Sequence, residues 1–562
     1  MVALLGVGTG LLVFLWTRAL FGNAGGLIAL TLFAFSPSML ALAGTATTDL
    51  SITLTLFAST WAVWRLLQRV ALRRIAVSLF AFVLIVLAKP SALVILPIAA
   101  VLVAVRLYRL EPWDLSLAGR HRRLVTRRAQ AAVVAVLVLL HAAAGIAALW
   151  AHYGFRYAAS PRPEDPTLAS PALDYRDGMA SPLRSTLRWI RDHRLLPEGF
   201  HRGIHTLAGN DDETVSFLRG EWTVGGQPWF FPYAIAVKTA PSIGLLVAAG
   251  TGIWVWQRRR PRPAGIPSAS TLAPVFALVG CYLGVALVED LNIGHRHILP
   301  VYPALFVLAG GVGLLWRVRV TPIWRRLAVA VAGWTAVESF AARPDYLAYF
   351  GPQAGGSENG YKHLVDSSVD WGMDLPALKT LLDRIDPTGA EPVFLSYFGT
   401  DSPRYHGIRS RRLPGFFDRR RIEAYAFTPG IYAISATLLQ STYNVAIGPW
   451  SRAYEARYRA ALARMQVLES IVATPGAWAR IQAGPTVGTW LQEIHLYDAL
   501  RTARLCAWLR HARPPDHRAG HSILIWRLTF DDLAAALLGP PAELHERPLP
   551  RRQYGRYVPI DD

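Results

Sequence analysis

One acidic residue, Asp49, stands alone in the apolar N-terminal part of the chain. It is the only Asp or Glu among the first 110 residues, and it falls where two apolar runs meet. A carboxylate at the end of a membrane helix is costly unless its charge is used, so it marks a functional site by default. Asp49 is therefore the first candidate for catalysis.

Cationic side chains suited to a phosphate group occur in three other apolar stretches. Lys89 precedes a proline between two short apolar segments, Lys238 lies about two turns into an apolar helix, and Arg296 is flanked by His295 and His297. The planar Arg fork matches phosphate oxygens, and His adds a hydrogen bond or a proton. Snorkelling side chains explain the two lysines equally well, and a charged helix cap explains the Arg296 group. Zinc bound by the two histidines is disfavoured, because the metals of phosphate sites prefer oxygen ligands.

The elements that position these residues are apolar blocks about as long as a bilayer core is thick. Ten spanning helices are predicted, at 1–17, 24–43, 47–66, 75–88, 91–106, 129–150, 231–256, 271–288, 297–316 and 323–341. The fold class is therefore mainly α, a polytopic membrane helical bundle at 1–342, followed by a soluble domain at 343–562.

The connections between these helices alternate in charge. Arg-rich connections contain Arg65, Arg69, Arg73 and Arg74, then Arg106 to Arg128, then Arg258 to Arg262, and finally Arg317, Arg319, Arg325 and Arg326. The connections 44–48, 89–90 and 289–296 contain almost no Arg. By the positive-inside rule the Arg-rich set is cytoplasmic. Asp49, the loop 151–230 and the tail 343–562 are therefore predicted to be extracytoplasmic, in a multi-pass protein of the inner (plasma) membrane.

The same alternation places Met1 on the outside. An uncleaved outer N-terminus without a preceding span is unusual, so we expect that a helix and a first external loop precede the sequence. The apolar start is not a cleavable signal peptide, because it lacks a basic n-region and a small-residue cleavage site.

Composition excludes several classes of protein. Of 58 basic residues four are Lys and 54 are Arg, and the Arg clusters flank apolar segments, which indicates topology signals and no nucleic-acid partner. The two cysteines, Cys281 and Cys506, supply neither a disulfide framework nor a Cys-based metal site. No phosphate-binding GxxxxGK[ST] loop and no Rossmann glycine pattern occurs, so the energy for any reaction is expected to come from the substrate.

The outer segments have their own patterns. The loop 151–230 predicts an amphipathic helix at 181–194 and ends in an aromatic cluster typical of an interfacial belt, namely Trp222, Trp229, Phe230, Phe231 and Tyr233. The tail predicts strands at 393–398, 430–437 and 522–528 and helices near 374–384 and 450–470, which together indicate a small α/β domain. Asp366, Asp370 and Asp374 precede its first helix, where turn and N-cap roles are more common than a divalent metal site.

Five stretches resemble a known family when they are taken in order, and the similarity covers roughly 25–450. They are SPSMLALAGTATTDLSITLTLFA, LAKPSALVILP, GEWTVGGQPWFFPYAIAVKTAP, LNIGHRHILPVYPALFVLAGG and YLAYFGPQAGGSENGYKHLVDSSVDWGMDLPALK. In this series the chain is similar to bacterial members of glycosyltransferase family 39. These are GT-C-fold enzymes that depend on a phospholipid carrier and are related to protein O-mannosyltransferases and the aminoarabinose transferase of lipid A.

The resemblance implies inverting transfer of a hexose or pentose from a polyprenyl phosphate to a protein, lipid or polysaccharide acceptor outside the membrane. By matching motif, Asp49 is the outer acid of the third helix, and Lys89, Arg296 and His297 hold the carrier phosphate, with His295 and Lys238 as further candidates. No cofactor is implied with certainty, although a divalent metal occurs in relatives. The chain departs from the pattern because the acidic motif expected before the second helix is missing, so Asp49 is predicted to be a supporting acid.

Two other interpretations stay open on the sequence. A transporter or flippase of lipid-linked substrates would use a similar helical bundle, but such proteins commonly contain internal repeats, and no repeat is visible here. An inactive family member that lacks the first external loop is the other alternative.

Overall fold

The computed structural model describes residues 2–117, 119–160, 181–209, 215–260, 265–318, 320–415, 426–444, 446–474, 476–483 and 487–549. Arg262 and Arg319 of the predicted cytoplasmic clusters lie outside the described residues, as do 161–180 and 210–214 of the predicted outer loop.

The chain divides into two compact units. The first contains Met1–Asp212, Phe231–Glu289 and His295–Tyr346, and the second contains Glu213–Phe230, Asp290–Gly294 and Leu347–Asp562. The boundary before Leu347 lies four residues beyond the predicted start of the soluble domain at 343. The second unit also takes in two short segments that the sequence analysis assigned to the membrane domain.

Helices dominate the first unit. In chain order it contains α1 (Val2–Ala34), α2 (Pro37–Ala43), α3 (Asp49–Gln68), β1 (Val70–Ala71), α4 (Leu72–Ala88), a 3-10 turn (Pro90–Val94), α5 (Ile95–Arg109), β2 (Trp113–Leu117), β3 (Arg120–Leu124), α6 (Arg127–His152), α7 (Ser181–Asp192), α8 (Glu198–Gly209), α9 (Phe230–Lys238), α10 (Pro241–Arg258), α11 (Ala269–Ala286), a 3-10 segment (His295–Val301), α12 (Tyr302–Ala309), a second 3-10 segment (Gly310–Trp316) and α13 (Pro322–Ala341). The helix predicted at 181–194 is confirmed as α7.

The long helix α1 is in fact a hairpin of two helical runs. Gly22 interrupts it with φ 84° and ψ −179°, a conformation open to glycine but not to residues with a side chain. A Cβ atom on Gly10 would lie 2.9 Å from the Phe33 ring, and one on Gly26 would lie 3.0 Å from Arg18 Cβ. The two runs therefore pack side by side in opposite directions, as the separate spans predicted at 1–17 and 24–43 require.

Six helices in the described part of the chain are long and apolar enough to cross a membrane, and a bent pair makes a seventh. The other three of the ten predicted spans are the second run of α1, helix α4 and helix α13. Helix α4 has only 17 residues. Helix α13 contains Arg325 and Arg326 in its first two turns and Glu338 near its end. The described part of the chain is therefore a mainly α-helical membrane protein, and the count of ten remains a prediction.

The bent pair corrects one prediction. A single helix across 231–256 is wrong, because α9 and α10 meet at 107°. Pro241 has no N–H to continue the helical ladder, and it restricts Ala240, whose backbone is extended at ψ 131°. Lys238 is consequently the last residue of a short helix and does not lie two turns into a long one.

Glycines allow helices in the interior of the first unit to approach one another closely. A Cβ atom on Gly250 of α10 would lie 2.3 Å from the Leu308 carbonyl oxygen, and one on Gly25 of α1 would lie 2.4 Å from the Gly310 carbonyl oxygen. Small residues at helix contacts are typical of membrane bundles, where van der Waals packing replaces the hydrophobic effect. Both glycines contact the membrane-length stretch His295–Trp316, in which Arg296 is the second residue.

The second unit is built around a mixed sheet. Its elements are β4 (Val215–Leu218), β5 (Glu221–Val224), four short 3-10 turns (Tyr346–Ala348, Pro352–Ala354, Ser357–Lys362 and Asp366–Ser368), α14 (Leu375–Ile385), β6 (Val393–Ser396), β7 (Arg411–Arg412), β8 (Gly430–Ser435), α15 (Ala436–Leu439), α16 (Arg452–Val472), α17 (Ala477–Ala483), α18 (Val487–Ala512), β9 (His517–Ala519), β10 (Ile523–Leu528) and α19 (Phe530–Leu537). The strand order is β7-β6-β8-β10-β9, and β4 and β5 form a separate hairpin.

The predicted strands and helices of the tail are confirmed. β8 pairs in parallel with β6 and antiparallel with β10, and all six of its residues are buried, as expected of a central strand. Leucines of α14 pack on Ile431 and Ile525 of the sheet. A second core joins α16 to α18 through Tyr458 and Leu500.

Candidate functional site

Asp49 is the first residue of α3 and is almost completely buried. Its side chain is 2% exposed, and its position in the first turn places the carboxylate at the positive end of the helix dipole. The dipole offsets only part of the cost of burying a charge, so charged partners are needed as well.

Lys89 supplies the first partner because the chain breaks where the sequence predicts. α4 ends at Ala88, Lys89 is extended with φ −168°, and a 3-10 turn begins at Pro90. This geometry brings Lys89 Nζ to 3.5 Å from Asp49 Oδ1.

Arg296 supplies the second partner from the start of the segment that follows α11. Its Nη1 donates to Asp49 Oδ2 at 3.4 Å. Each carboxylate oxygen therefore faces one cation, and the three side chains come from three separate helical elements. The sequence analysis predicted that all three lie at the same outer side, and the structure brings them into direct contact.

The charges in this triad do not balance. Asp49 contributes one negative charge, while Lys89 and Arg296 contribute two positive charges, and both cations remain partly exposed at 25% and 20%. The exposed part of each cation is accessible to an anionic group. A phosphate diester carries one negative charge, and its oxygens suit both an ammonium and a guanidinium donor.

His297 lies next to this triad and has an uncommitted ring nitrogen. Its Nε2 is shielded from solvent and has no hydrogen-bond partner among the described residues, as is also true of the hydroxyl of Thr47, two residues before Asp49. The backbone of His297 is held in place, since Tyr282 of α11 donates to its carbonyl oxygen at 2.8 Å. Buried polar atoms without partners are rare in proteins. Where they occur, a ligand or a water molecule often completes the site.

The remaining predicted residues belong to a second polar group. His295 Nε2 lies 2.6 Å from the Tyr302 hydroxyl, which in turn lies 2.6 Å from Thr239 Oγ1. Lys238 is 3% exposed, and its carbonyl oxygen accepts from Ser38 at 3.5 Å. The described contacts thus join His295 to Tyr302 and not to Asp49.

Sequence reasoning missed the tyrosines and Thr239. Their only signal is a hydroxyl group within an otherwise apolar helix, where a hydrogen-bond partner is needed.

Helix α8 of the first unit packs against the turn that contains Lys89 and Pro90. A Cβ atom on Gly203 of α8 would lie 3.0 Å from Pro90 Cγ. Glu198 anchors the start of α8 by accepting from the Ala159 N–H at 2.9 Å, and the buried His201 Nε2 lies 2.9 Å from the Leu187 carbonyl oxygen of α7. Helix α8 therefore contacts the turn that positions Lys89, and Ala159 and Leu187 hold α8 in place.

The three aspartates before α14 have separate protein donors. Asp366 accepts from the Tyr443 hydroxyl, Asp370 from the Gly372 N–H at 2.7 Å, and Asp374 from the Ser522 hydroxyl at 2.5 Å. Among the described residues no group of three His, Cys, Asp or Glu side chains is placed to hold a metal ion. Their observed contacts are those of structural turn residues.

The raised pKa of the buried Asp370 predicts that the stability of the protein depends on pH. Burial raises the pKa of Asp370 to about 8, opposed by the Gly372 N–H and aided by the nearby Asp374 charge. An unfolded chain releases this proton near pH 4, so stability should fall from about pH 4 to about pH 8. Asp370→Asn should remove that fall and raise the unfolding temperature at pH 8 by at least about 2–4 °C. The unfolding temperature of each variant is measured at pH 5 and pH 8. The control is Asp383→Asn, at an exposed position of α14. Equal pH dependence in the wild type and Asp370→Asn would contradict the expectation.

Comparison of the chain with protein-family models, curated proteins and solved structures returns no match. The described residues define a class of protein, a mainly α-helical chain with several helices suited to a membrane and a cationic polar site at their ends. Any narrower assignment has to be carried by the chemistry of that site.

Proposed function

We propose that the chain is a membrane glycosyltransferase that moves a sugar from a polyprenyl-phosphate donor to an acceptor on the outer face of the membrane. The observation that carries the proposal is the triad in which the buried Asp49 is held between two partly exposed cations, Lys89 and Arg296. The family resemblance of the five sequence stretches supports the same assignment.

In the proposed reaction the acceptor oxygen attacks the anomeric carbon of the sugar. The bond from that carbon to the phosphate oxygen breaks, and its electron pair stays on the phosphate, which gains a negative charge. Lys89 and Arg296 stabilise this developing charge electrostatically. His297 Nε2 hydrogen-bonds a phosphate oxygen, and the acceptor proton passes to a general base.

Asp49 acts as a positioning residue in this scheme. Each of its oxygens already faces a cation, so neither is left uncommitted for the acceptor proton. Its carboxylate sets the separation of Lys89 and Arg296 and thereby the width of the phosphate site.

The proposal predicts that Arg296→Ala weakens binding of the carrier lipid. Loss of one charge-assisted hydrogen bond should lower affinity about ten- to hundred-fold. Native mass spectrometry of the full chain in detergent with synthetic undecaprenyl phosphate measures the bound fraction. Arg65→Ala is the matched control, because Arg65 lies at the far end of α3 from Asp49 and is exposed. Equal binding by the wild type and Arg296→Ala, with both eluting as folded protein, would remove Arg296 from the phosphate site.

A transporter of lipid-linked substrates is the second candidate function, and the 107° break between α9 and α10 favours it. Broken helices with polar residues at the break are typical of transporters, and Lys238 lies at this break. An assay in proteoliposomes that contain a fluorescent polyprenyl-phosphate sugar distinguishes the two candidate functions. A transferase leaves the lipid leaflet distribution unchanged and converts the donor when acceptor is present, whereas a transporter equilibrates the leaflets without conversion.

A further inference from the structure

The first unit contains a small sheet at the ends of its membrane helices. Its strand order is β1-β2-β3, and β2 and β3 form a hairpin between α5 and α6. Both helices belong to stretches that are long and apolar enough to cross a membrane. Residues 110–112 connect α5 to β2, and residues 125 and 126 connect β3 to α6. Connections of this length keep the base of the hairpin within about 10 Å of the helix ends, at the membrane surface.

The hairpin has two different faces, because residues directly opposite one another in an antiparallel pair point the same way. The first, called the Trp113 face, is formed by Trp113, Leu115 and Leu117 of β2 and by Arg120, Arg122 and Leu124 of β3. The second, called the Asp114 face, is formed by Asp114 and Ser116 of β2 and by His121 and Arg123 of β3.

The Trp113 face packs on the helix ends at the base of the hairpin. Trp113 is fully buried, and the guanidinium of Arg106 in α5 lies 5.3 Å from its ring centre. Gln130 of α6 donates to the Leu124 carbonyl oxygen at 3.0 Å. Because its base contacts the helices, the rest of this face is turned toward the membrane side of the sheet.

The polar groups of the Asp114 face are paired within the protein. Arg69, which precedes β1, donates from Nη2 to Ser116 Oγ at 3.1 Å, and His121 Nδ1 lies 2.8 Å from the same oxygen. Arg123 Nε lies 3.8 Å from Asp114 Oδ1. This face therefore has the properties of an ordinary solvated surface.

The Trp113 face instead has cations without partners beside apolar side chains. Arg120 lies opposite Leu117, and Arg122 lies opposite Leu115. Both arginines are exposed, and no described residue forms a hydrogen bond or ion pair with either side chain. Both leucines are half-buried, and Val125, directly after β3, is 58% exposed.

A surface that is apolar and cationic at once matches the boundary between lipid and water. Leucines can contact acyl chains while the longer arginines reach the level of the phosphates, whose oxygens suit the guanidinium fork. A nucleic acid or an acidic soluble protein would use the arginines and leave the leucines in water. A topology signal requires positive charge alone, which Arg123 on the other face supplies equally well.

We propose that the Trp113 face binds an anionic phospholipid, whose phosphate accepts hydrogen bonds from Arg120 and Arg122 and whose acyl chains contact Leu115 and Leu117. The inference goes beyond the transferase proposal and does not rest on it. The sheet is at the far end of α3 from Asp49, since β1 follows the last residue of that helix. A negative result in the test below would leave the transferase proposal unaffected.

Native mass spectrometry of the full chain in neutral detergent, titrated with dioleoyl phosphatidylglycerol, tests the proposal. Dioleoyl phosphatidylcholine is the zwitterionic counterpart, while inorganic phosphate and hexaglutamate, each in excess, are the competitors that represent a free anion and an acidic peptide. Phosphatidylglycerol should bind at least about ten-fold more tightly than phosphatidylcholine, because each arginine near an anionic lipid contributes about five-fold. Neither competitor should displace it, since neither contacts the leucines.

Substitutions on the two faces of β3 locate the binding. Arg122→Gln should weaken phosphatidylglycerol binding about five-fold, and Arg120→Gln combined with it about twenty-fold. Arg122→Lys should retain most of the affinity because the charge remains. Arg123→Gln is the matched control, since it removes the same charge from an exposed neighbour on the Asp114 face, and it should bind as the wild type does.

Three results would overturn the proposal. Equal binding of phosphatidylcholine would show that the arginines do not select the lipid, and equal losses in Arg122→Gln and Arg123→Gln would show that only overall charge matters. Displacement of the lipid by phosphate or hexaglutamate would show that the apolar part of the face is not used. The substituted arginines are exposed on the edge strand β3, so each variant is expected to fold and elute as the wild type does.

Discussion

Under the proposed transferase function, Asp49→Asn should lower the efficiency of sugar transfer about a hundred-fold, the effect of displacing a catalytic group by about 1 Å. The substitution keeps the size of the side chain and removes its charge. Lys89 and Arg296, which each contact one Asp49 oxygen, then repel one another without a carboxylate between them. The two cations should move apart and no longer match the leaving phosphate.

The same substitution should have the opposite effect on carrier binding. With the Asp49 charge removed, no carboxylate at this position competes with the phosphate for Lys89 and Arg296, so the site should bind undecaprenyl phosphate as tightly as the wild type or more tightly. A purely structural role for Asp49 predicts a loss of binding together with the loss of transfer. Native mass spectrometry with undecaprenyl phosphate, and glycan analysis of a deletion strain that expresses each variant, measure the two quantities.

Asp192→Asn is the matched control, since it makes the same change at an exposed acid on α7 of the same unit. It should alter neither quantity. Wild-type transfer in Asp49→Asn would return Asp49 to a structural role. Parallel loss of transfer and binding, in protein that still reaches the membrane, would show that Asp49 only keeps the unit folded.

The sequence predicted the members of the triad but not their contact. Arg-rich connections on one side and apolar segment lengths are sufficient to place Asp49, Lys89 and Arg296 at the same ends of their helices. Contact between them depends on how α3, α4 and the segment from His295 pack laterally, and that depends on interactions distant in sequence. The contact of His295 Nε2 with the Tyr302 hydroxyl also had no signal in the sequence, because it forms within a stretch that is 3-10 and not α-helical at His295.

The sequence contained one signal for the bend between α9 and α10, a proline, but the apolar residues around it favoured a continuous helix. Pro241 follows Lys238 by three residues, but the apolar composition on both sides of it favoured one continuous span. A proline inside an apolar run is tolerated in many membrane helices. Only the extended backbone at Ala240 shows that the helix ends there.

In the second unit, a strand was predictable where both of its faces are buried. β8 is an apolar run bounded by glycine and small polar residues, a pattern typical of a central strand. The ion pair between Arg504 of α18 and Glu455 of α16 had no comparable signal, because its two residues are 49 positions apart in the sequence.

Arg504→Ala should destabilise the second unit by about 3–5 kcal/mol, the usual cost of removing one partner of a buried ion pair. The Arg504 side chain is 1% exposed, and its Nε lies 2.8 Å from Glu455 Oε2. Its guanidinium also donates to the Ala536 carbonyl oxygen and, at 2.7 Å, to that of Gly539. The substitution therefore leaves a buried carboxylate with less compensation and two carbonyl groups without this donor. Pulse proteolysis of the full chain in increasing urea, read on fragments of the second unit, gives the shift in midpoint.

Arg459→Ala separates burial from pairing, because Arg459 binds the same carboxylate from the surface. Its Nε lies 2.8 Å from Glu455 Oε1, but its side chain is 46% exposed. An exposed pair contributes at most about 1 kcal/mol, so this variant should unfold at nearly the wild-type urea concentration. Equal destabilisation by the two substitutions would mean that the charge on Glu455, and not the burial of Arg504 between α16 and the end of α19, determines the stability of this core.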